Sequence, residues 1–194
     1  QVSAIVEASK ARVACFKIIS DSHLISELAQ RFPNARFMWI YRGYADVANS
    51  ALRKFPHANQ AIRLVIRGEP GGGWFQEGIS PQTGEILRDF ADEQLSDFDL
   101  SCLVWWARNR IAVEQNIVLL PNVRLFRYEH LVAEPMIRFA ELFGFIGLDH
   151  SRRAVEGVHD HSLGRHGRAA LDARVEALCE GLQQELDAIA LRST

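Results

Sequence analysis

The sequence predicts an α/β domain, a mostly parallel sheet flanked by helices, spanning residues 1–194 as one unit. Three observations lead there. Short apolar, β-branched runs alternate with segments of helical period. The first four elements follow as strand–helix–strand–helix, with connections long enough for parallel crossovers. Finally, 48% hydrophobic and 24% charged residues in a 194-residue chain are the proportions of a globular domain able to bury a core.

The elements are justified in chain order. Residues 13–19, VACFKII, are apolar and β-branched, and read as a buried strand. Ser22 offers a helix cap, and Leu24, Ile25, Leu28 and Phe32 recur at helical spacing behind it. Pro33-Asn34 is a turn, and RFMWIY (36–41) a second strand. Asp46 then serves as N-cap or first-turn acid for the helix DVANSALRKF. From Arg67 to Asp97 the pattern lapses; PGGG, the SPQTGE turn and several acids read as a long surface loop or insertion without core signal. Order resumes with FDLSCLVWWARNRIAVEQNIVLL, read as an amphipathic helix with Trp105 and Trp106 as core or cleft wall. Pro121-Asn122 leads into a third strand, 123–128. The segment EPMIRFAELFGFIGLD is a helix ending near Gly144 or Gly147, and residues 171–191 form a last amphipathic helix. GVHDHSLGRHGR, between them, has no periodicity.

Composition narrows the function. A net charge of −2 provides no global positive field for nucleic acid, so an anion site must be built locally from a few Arg and Lys residues. Cys15, Cys102 and Cys179 are odd in number and far apart. This fits three unpaired thiols in a reducing compartment, with a cytoplasmic location as the expectation. No apolar run reaches the roughly 18–20 residues that a membrane helix needs. The triplet Gly71-Gly72-Gly73 lacks the Lys-Ser or Lys-Thr of a phosphate loop and reads as a turn. His159, His161 and His166 with Asp160 do not match zinc spacings and read as a solvated loop.

Arg42 stands directly after the strand RFMWIY, where ligands of a parallel sheet bind, and Ser50 lies eight residues on. A guanidinium can grip a phosphate with two hydrogen bonds, a serine hydroxyl can add a third, and a helix N-terminus contributes amide donors. The plainer alternative is an arginine paired with a surface acid.

The wider segment FPNARFMWIYRGYADVANSALRKF resembles the sulfotransferase segment in which a strand ends in Arg, a D-V-A turn opens a helix, and Ser follows eight residues after the Arg. The family usually has Asp or Asn, then Pro, where this chain has Gly43 and Tyr44. FRYEHLVAEP resembles the Y-E-D-L segment, FAELFGFIGL the helix after it, and Arg165-His166-Gly167 the late Arg-Lys-Gly loop. The four stretches occur in family order over residues 13–170.

The resemblance implies a P-loop-like sulfotransferase fold and the donor 3′-phosphoadenosine 5′-phosphosulfate. In it Arg42, Ser50, Arg165, His166 and Gly167 hold the 3′-phosphate, and Tyr128 lies near the adenine. Lys17 stands beside the sulfuryl group as the cation that stabilises the leaving oxygen, although the family proline two residues on is Ile19 here. His23 takes the place of the general base, with Asp21 as the local rival; imidazole suits that task near neutral pH. The implied acceptor is a small-molecule, carbohydrate or peptide hydroxyl or amine, and the scheme requires no metal. The family's N-terminal strand, Gly/Ser/Thr-rich loop and helix for the 5′-phosphosulfate have no counterpart in QVSAIVEASKAR (1–12). The expectation is therefore an N-terminally incomplete enzyme, or a degenerate relative that binds without catalysing. A P-loop-type kinase is the other alternative.

Overall fold

A computed structural model describes residues 13–55, 58–91, 94–159 and 170–192. Its elements are α1 (Ile25–Arg31), β1 (Phe37–Tyr41), α2 (Tyr44–Lys54), α3 (Ala58–Arg67), α4 (Pro81–Arg88), α5 (Asp97–Glu114), β2 (Val123–Arg127), α6 (Tyr128–Ala133), α7 (Pro135–Ile146) and α8 (Ala173–Arg192). Among the described residues the sheet is one parallel pair, registered from Phe37↔Val123 to Tyr41↔Arg127. The α/β class and the parallel pairing stand as expected.

Strand periodicity divides the core. Phe37, Trp39, Tyr41, Val123 and Leu125 face the larger cluster, which contains residues of α1, α2, α3, α5 and α8. Met38 and Phe126 face a smaller one with Leu142, Phe143 and Phe145 of α7. Ile40 points to that second side and is half exposed.

The centre of the molecule is α5. Its start is fixed by a reciprocal cap: the Ser96 hydroxyl accepts from the Asp99 amide at 3.1 Å, and Asp99 accepts from the Ser96 amide at 2.9 Å. The other oxygen of Asp99 accepts from the Asp172 amide at 2.8 Å, tying the entry of α8 to the entry of α5. Trp105 donates to the carbonyl of Arg42 at 2.8 Å, and Trp39 donates to Asn109 at 3.1 Å. Higher-numbered helix residues thus meet lower-numbered strand residues, and α5 runs antiparallel to β1.

Four expectations are corrected. Residues 13–19 are not a buried strand; they are exposed coil, with Val13 53% and Ile19 54% exposed. β-propensity makes a strand only where a neighbouring edge accepts its ladder of hydrogen bonds, and among the described residues none does. Ser22 is not a helix cap, because its hydroxyl accepts from Arg108 instead. The stretch from Arg67 to Asp97 is not coreless. It contains α4, capped by Ser80 and opened by Pro81, with Leu87 and Thr83 each 1% exposed. Finally, α5 is not amphipathic: Phe98, Leu103, Trp105, Trp106, Arg108 and Ile111 bury it on every side. Helix α3 fell between recognised motifs, yet it buries Ile62 and Ile66.

Candidate functional site

The carboxyl ends of the two parallel strands form the candidate site. Arg42 follows β1 directly and Tyr128 follows β2 directly, so strand pairing itself sets them side by side. The Arg42 guanidinium lies over the Tyr128 ring, 5.0 Å from its centroid, a cation–π arrangement. Gly43, in extended backbone, precedes α2, and Asp46 sits in the first turn of that helix. Asp46 accepts from Nη2 of Arg42 at 2.8 Å. Ser50 is one turn beyond Asp46 on α2, on the same helical face, and half-buried.

Glu129 joins the strand ends. One oxygen accepts from the Gly43 amide at 2.9 Å and stands 4.0 Å from Nε of Arg42; the other accepts from Nε of Arg127 at 3.1 Å. Arg127 also donates to Asp187 of α8 at 2.5 Å, and the Tyr41 hydroxyl donates to that same carboxylate at 2.7 Å. Burial works against the Arg127 charge, but the Asp187 and Glu129 carboxylates outweigh it and hold its pKa above the usual arginine range. Burial, followed by the Asp187 hydrogen bond and charge, pushes the Tyr41 hydroxyl far above the tyrosine range.

The electrostatic character follows from this inventory. Two guanidiniums, Arg42 and Arg127, face three carboxylates, Asp46, Glu129 and Asp187. The carboxylates therefore offset the positive charge of the two guanidiniums at the strand ends.

His23 lies elsewhere along α5. Its carbonyl accepts from Gln115 at 2.7 Å, ten residues from Trp105, the anchor of Arg42. That separation is about 15 Å of helix rise. Ser22, its neighbour, is bound by Arg108 at 2.5 Å, only one turn from Trp105. The structure brings Arg42, Tyr128 and the face bearing Ser50 together, but it does not bring His23 to them. Lys17 lies in the exposed coil, and Asp21 is exposed just before His23. Arg165, His166 and Gly167, as well as His161 and Asp160, lie outside the described residues.

Sequence reasoning missed Glu129, Asp187, Trp105 and Arg108 as parts of these arrangements. Glu129 had a signal, since it stands inside the YEHL segment; the other three had none, because their partners are between 31 and 146 residues away in the chain.

No family model, curated protein or solved structure matches the chain.

Proposed function

We propose that the strand ends bind a nucleotide bearing a 3′-phosphate, and that the chain is a sulfotransferase-like protein of the P-loop architecture. The observation that carries this reading is the Arg42 guanidinium stacked on Tyr128 at the carboxyl end of a parallel pair. One residue offers a phosphate grip and the other an aromatic face for a base. They come from the two segments that resemble the donor-binding segments of sulfotransferases.

In this reading Arg42 and Ser50 hold the 3′-phosphate of 3′-phosphoadenosine 5′-phosphosulfate, Tyr128 flanks the adenine, and Arg165, His166 and Gly167, outside the described residues, take the role that the resemblance assigns them at the phosphate. The donor supplies an activated sulfuryl group. His23 accepts the proton of the acceptor hydroxyl or amine as the new bond to sulfur forms, and Lys17 neutralises the oxygen that keeps the electron pair of the broken sulfur–oxygen bond. Positioning and charge neutralisation provide most of the rate. In this reading the transferred group and the acceptor lie along the interval of α5 between Trp105, beside Arg42, and Gln115, beside His23.

The Asp46–Arg42 bond favours a second reading, a sulfotransferase-like binding protein without transferase activity, in which Arg42 is chiefly a structural cation. Calorimetric titration with adenosine 3′,5′-bisphosphate and with 5′-AMP, on the chain and on Arg42→Ala, tests the site. A preference for the bisphosphate that Arg42→Ala abolishes supports it; equal affinity for both nucleotides removes it. Assay of labelled sulfuryl transfer to phenol, sugar and peptide acceptors then separates the enzyme from the binding protein.

A further inference from the structure

His23 is held more firmly than a surface histidine needs to be. Gln115 binds its carbonyl at 2.7 Å. Gly78, at φ +75°, packs so closely that a Cβ there would run into the Cβ of His23. The loop carrying Gly78 is in turn fastened by Arg108, which is 8% exposed. Arg108 donates to the carbonyls of Trp74 at 3.1 Å and Glu77 at 2.6 Å, and to the hydroxyl of Ser22 at 2.5 Å. Its guanidinium also stacks on the Trp74 ring at 5.4 Å. Burial lowers the Arg108 pKa, and the Glu77 carboxylate only partly offsets this. A cation kept in the core at that cost, with every named bond going to the backbone or side chain of one loop and one turn, organises those segments.

The same loop aims a carboxylate at the ring. Glu77 Oε2 lies 4.0 Å from Nδ1 of His23. That nitrogen is shielded from solvent and has no hydrogen-bond partner among the described residues. Glu77 is 54% exposed and can rotate, whereas His23 is 17% exposed and held by Gln115 and Gly78. A small swing of the glutamate closes the gap to hydrogen-bond distance.

We propose that Glu77 is the positioning residue of His23. Its carboxylate accepts a hydrogen bond from Nδ1–H and fixes the tautomer whose Nε2 lone pair is available to a substrate proton; Arg108 holds the loop at the height this requires. A carboxylate behind an imidazole serves this purpose in known acid–base sites. The inference rests on the reading of His23 as the base, and it assigns to residues 74–78 a role beyond the turn that sequence reading assigned to Gly71–Gly73.

The test is side-chain ¹⁵N spectroscopy of the full chain with neutral histidines, the His23 signal being assigned through His23→Gln. The expected result is a ring protonated predominantly at Nδ1, a balance that shifts toward the Nε2-protonated form in Glu77→Gln and returns in Glu77→Asp. An identical balance in the chain and in Glu77→Gln overturns the proposal. Glu77 is exposed, so its variants fold, and the measurement needs no turnover. If the tautomer behaves as stated while no sulfuryl transfer is found, the sulfotransferase reading fails and the positioning stands. Where transfer is found, Glu77→Gln lowers kcat on the order of 10²-fold with the donor KM unchanged; an unchanged kcat overturns the role.

Discussion

Asp46, in the first turn of α2, holds Arg42, four residues before it at the end of β1, through a 2.8 Å bond. Both side chains are mostly buried, at 16% and 21% exposure, yet the pair is reachable from solvent, so its net strength is that of a modest surface ion pair. Asp46→Asn leaves Arg42 with one carboxylate fewer. Its affinity for adenosine 3′,5′-bisphosphate should rise by roughly two- to fivefold. Calorimetry reads this directly; a fall in affinity would mean that Asp46 orients Arg42 for the ligand and does not compete with it.

Tyr41 links the end of β1 to α8 through Asp187, and its hydroxyl ionises in the folded chain only far above the ordinary value of 10.0. Below pH 10.0 the hydroxyl is protonated in both folded and unfolded chains, and its contribution to stability is complete. Above that value the unfolded chain gains by ionising and the folded chain does not, so stability falls as pH rises. Tyr41→Phe should be less stable near neutrality and should show a shallower alkaline decline. Urea unfolding across the alkaline range compares the two slopes, and equal slopes would refute the assignment.

Gly78 has two reasons to be glycine: a positive φ of +75° and the His23 side chain against its Cα. Gly78→Ala should cost about 1–3 kcal/mol in urea unfolding. Gly84 is the control. It lies within α4 at ordinary helical φ, and its added Cβ would meet the flexible tip of Arg88 at 3.4 Å. Gly84→Ala should therefore be neutral or stabilise by up to about 1 kcal/mol. A reversal of the two effects would displace His23 from its place against the loop.

The three thiols differ sharply in reach. Cys15 is exposed, while Cys102 and Cys179 face each other between α5 and α8 at 0% exposure. The hydrogen bond to Cys102 and burial together push the Cys179 thiol far above its usual pKa. An aromatic disulfide reagent should titrate one thiol quickly in the folded chain and three in denaturant. Cys15→Ser should abolish the fast phase; fast reaction of a second thiol would mean that α8 separates from α5.

Much of this fold is legible in local sequence. The strands RFMWIY and VRLFR carry their own signal, as do the turn at Pro33-Asn34 and the Pro135 start and Gly147 end of α7. The site was partly legible for the same reason. Arg42 reads directly after its strand, and Tyr128 as the last residue of 123–128; in the structure β2 ends at Arg127, and the parallel register sets the two side chains next to each other. The region from Arg67 to Asp97 was not legible. Its hold on the core comes from isolated positions such as Thr83 and Leu87 and from Arg108, which reaches its carbonyls from more than thirty residues away.

Sequence by itself determined the α/β class and the strand character of 37–41 and 123–127, because side-chain period is a local property; which strands pair, and hence the meeting of Arg42 with Tyr128, was decided by the tertiary structure. Tertiary structure alone decided the rest. It left 13–19 as exposed coil, because a strand requires an edge that its own residues cannot provide. It placed His23 against Glu77 and away from Arg42, because that position depends on where Arg108 and Gln115 of α5 reach. It also surrounded Arg42 with carboxylates from α2 and α6, because electrostatic balance at a site is a sum over residues that only folding gathers.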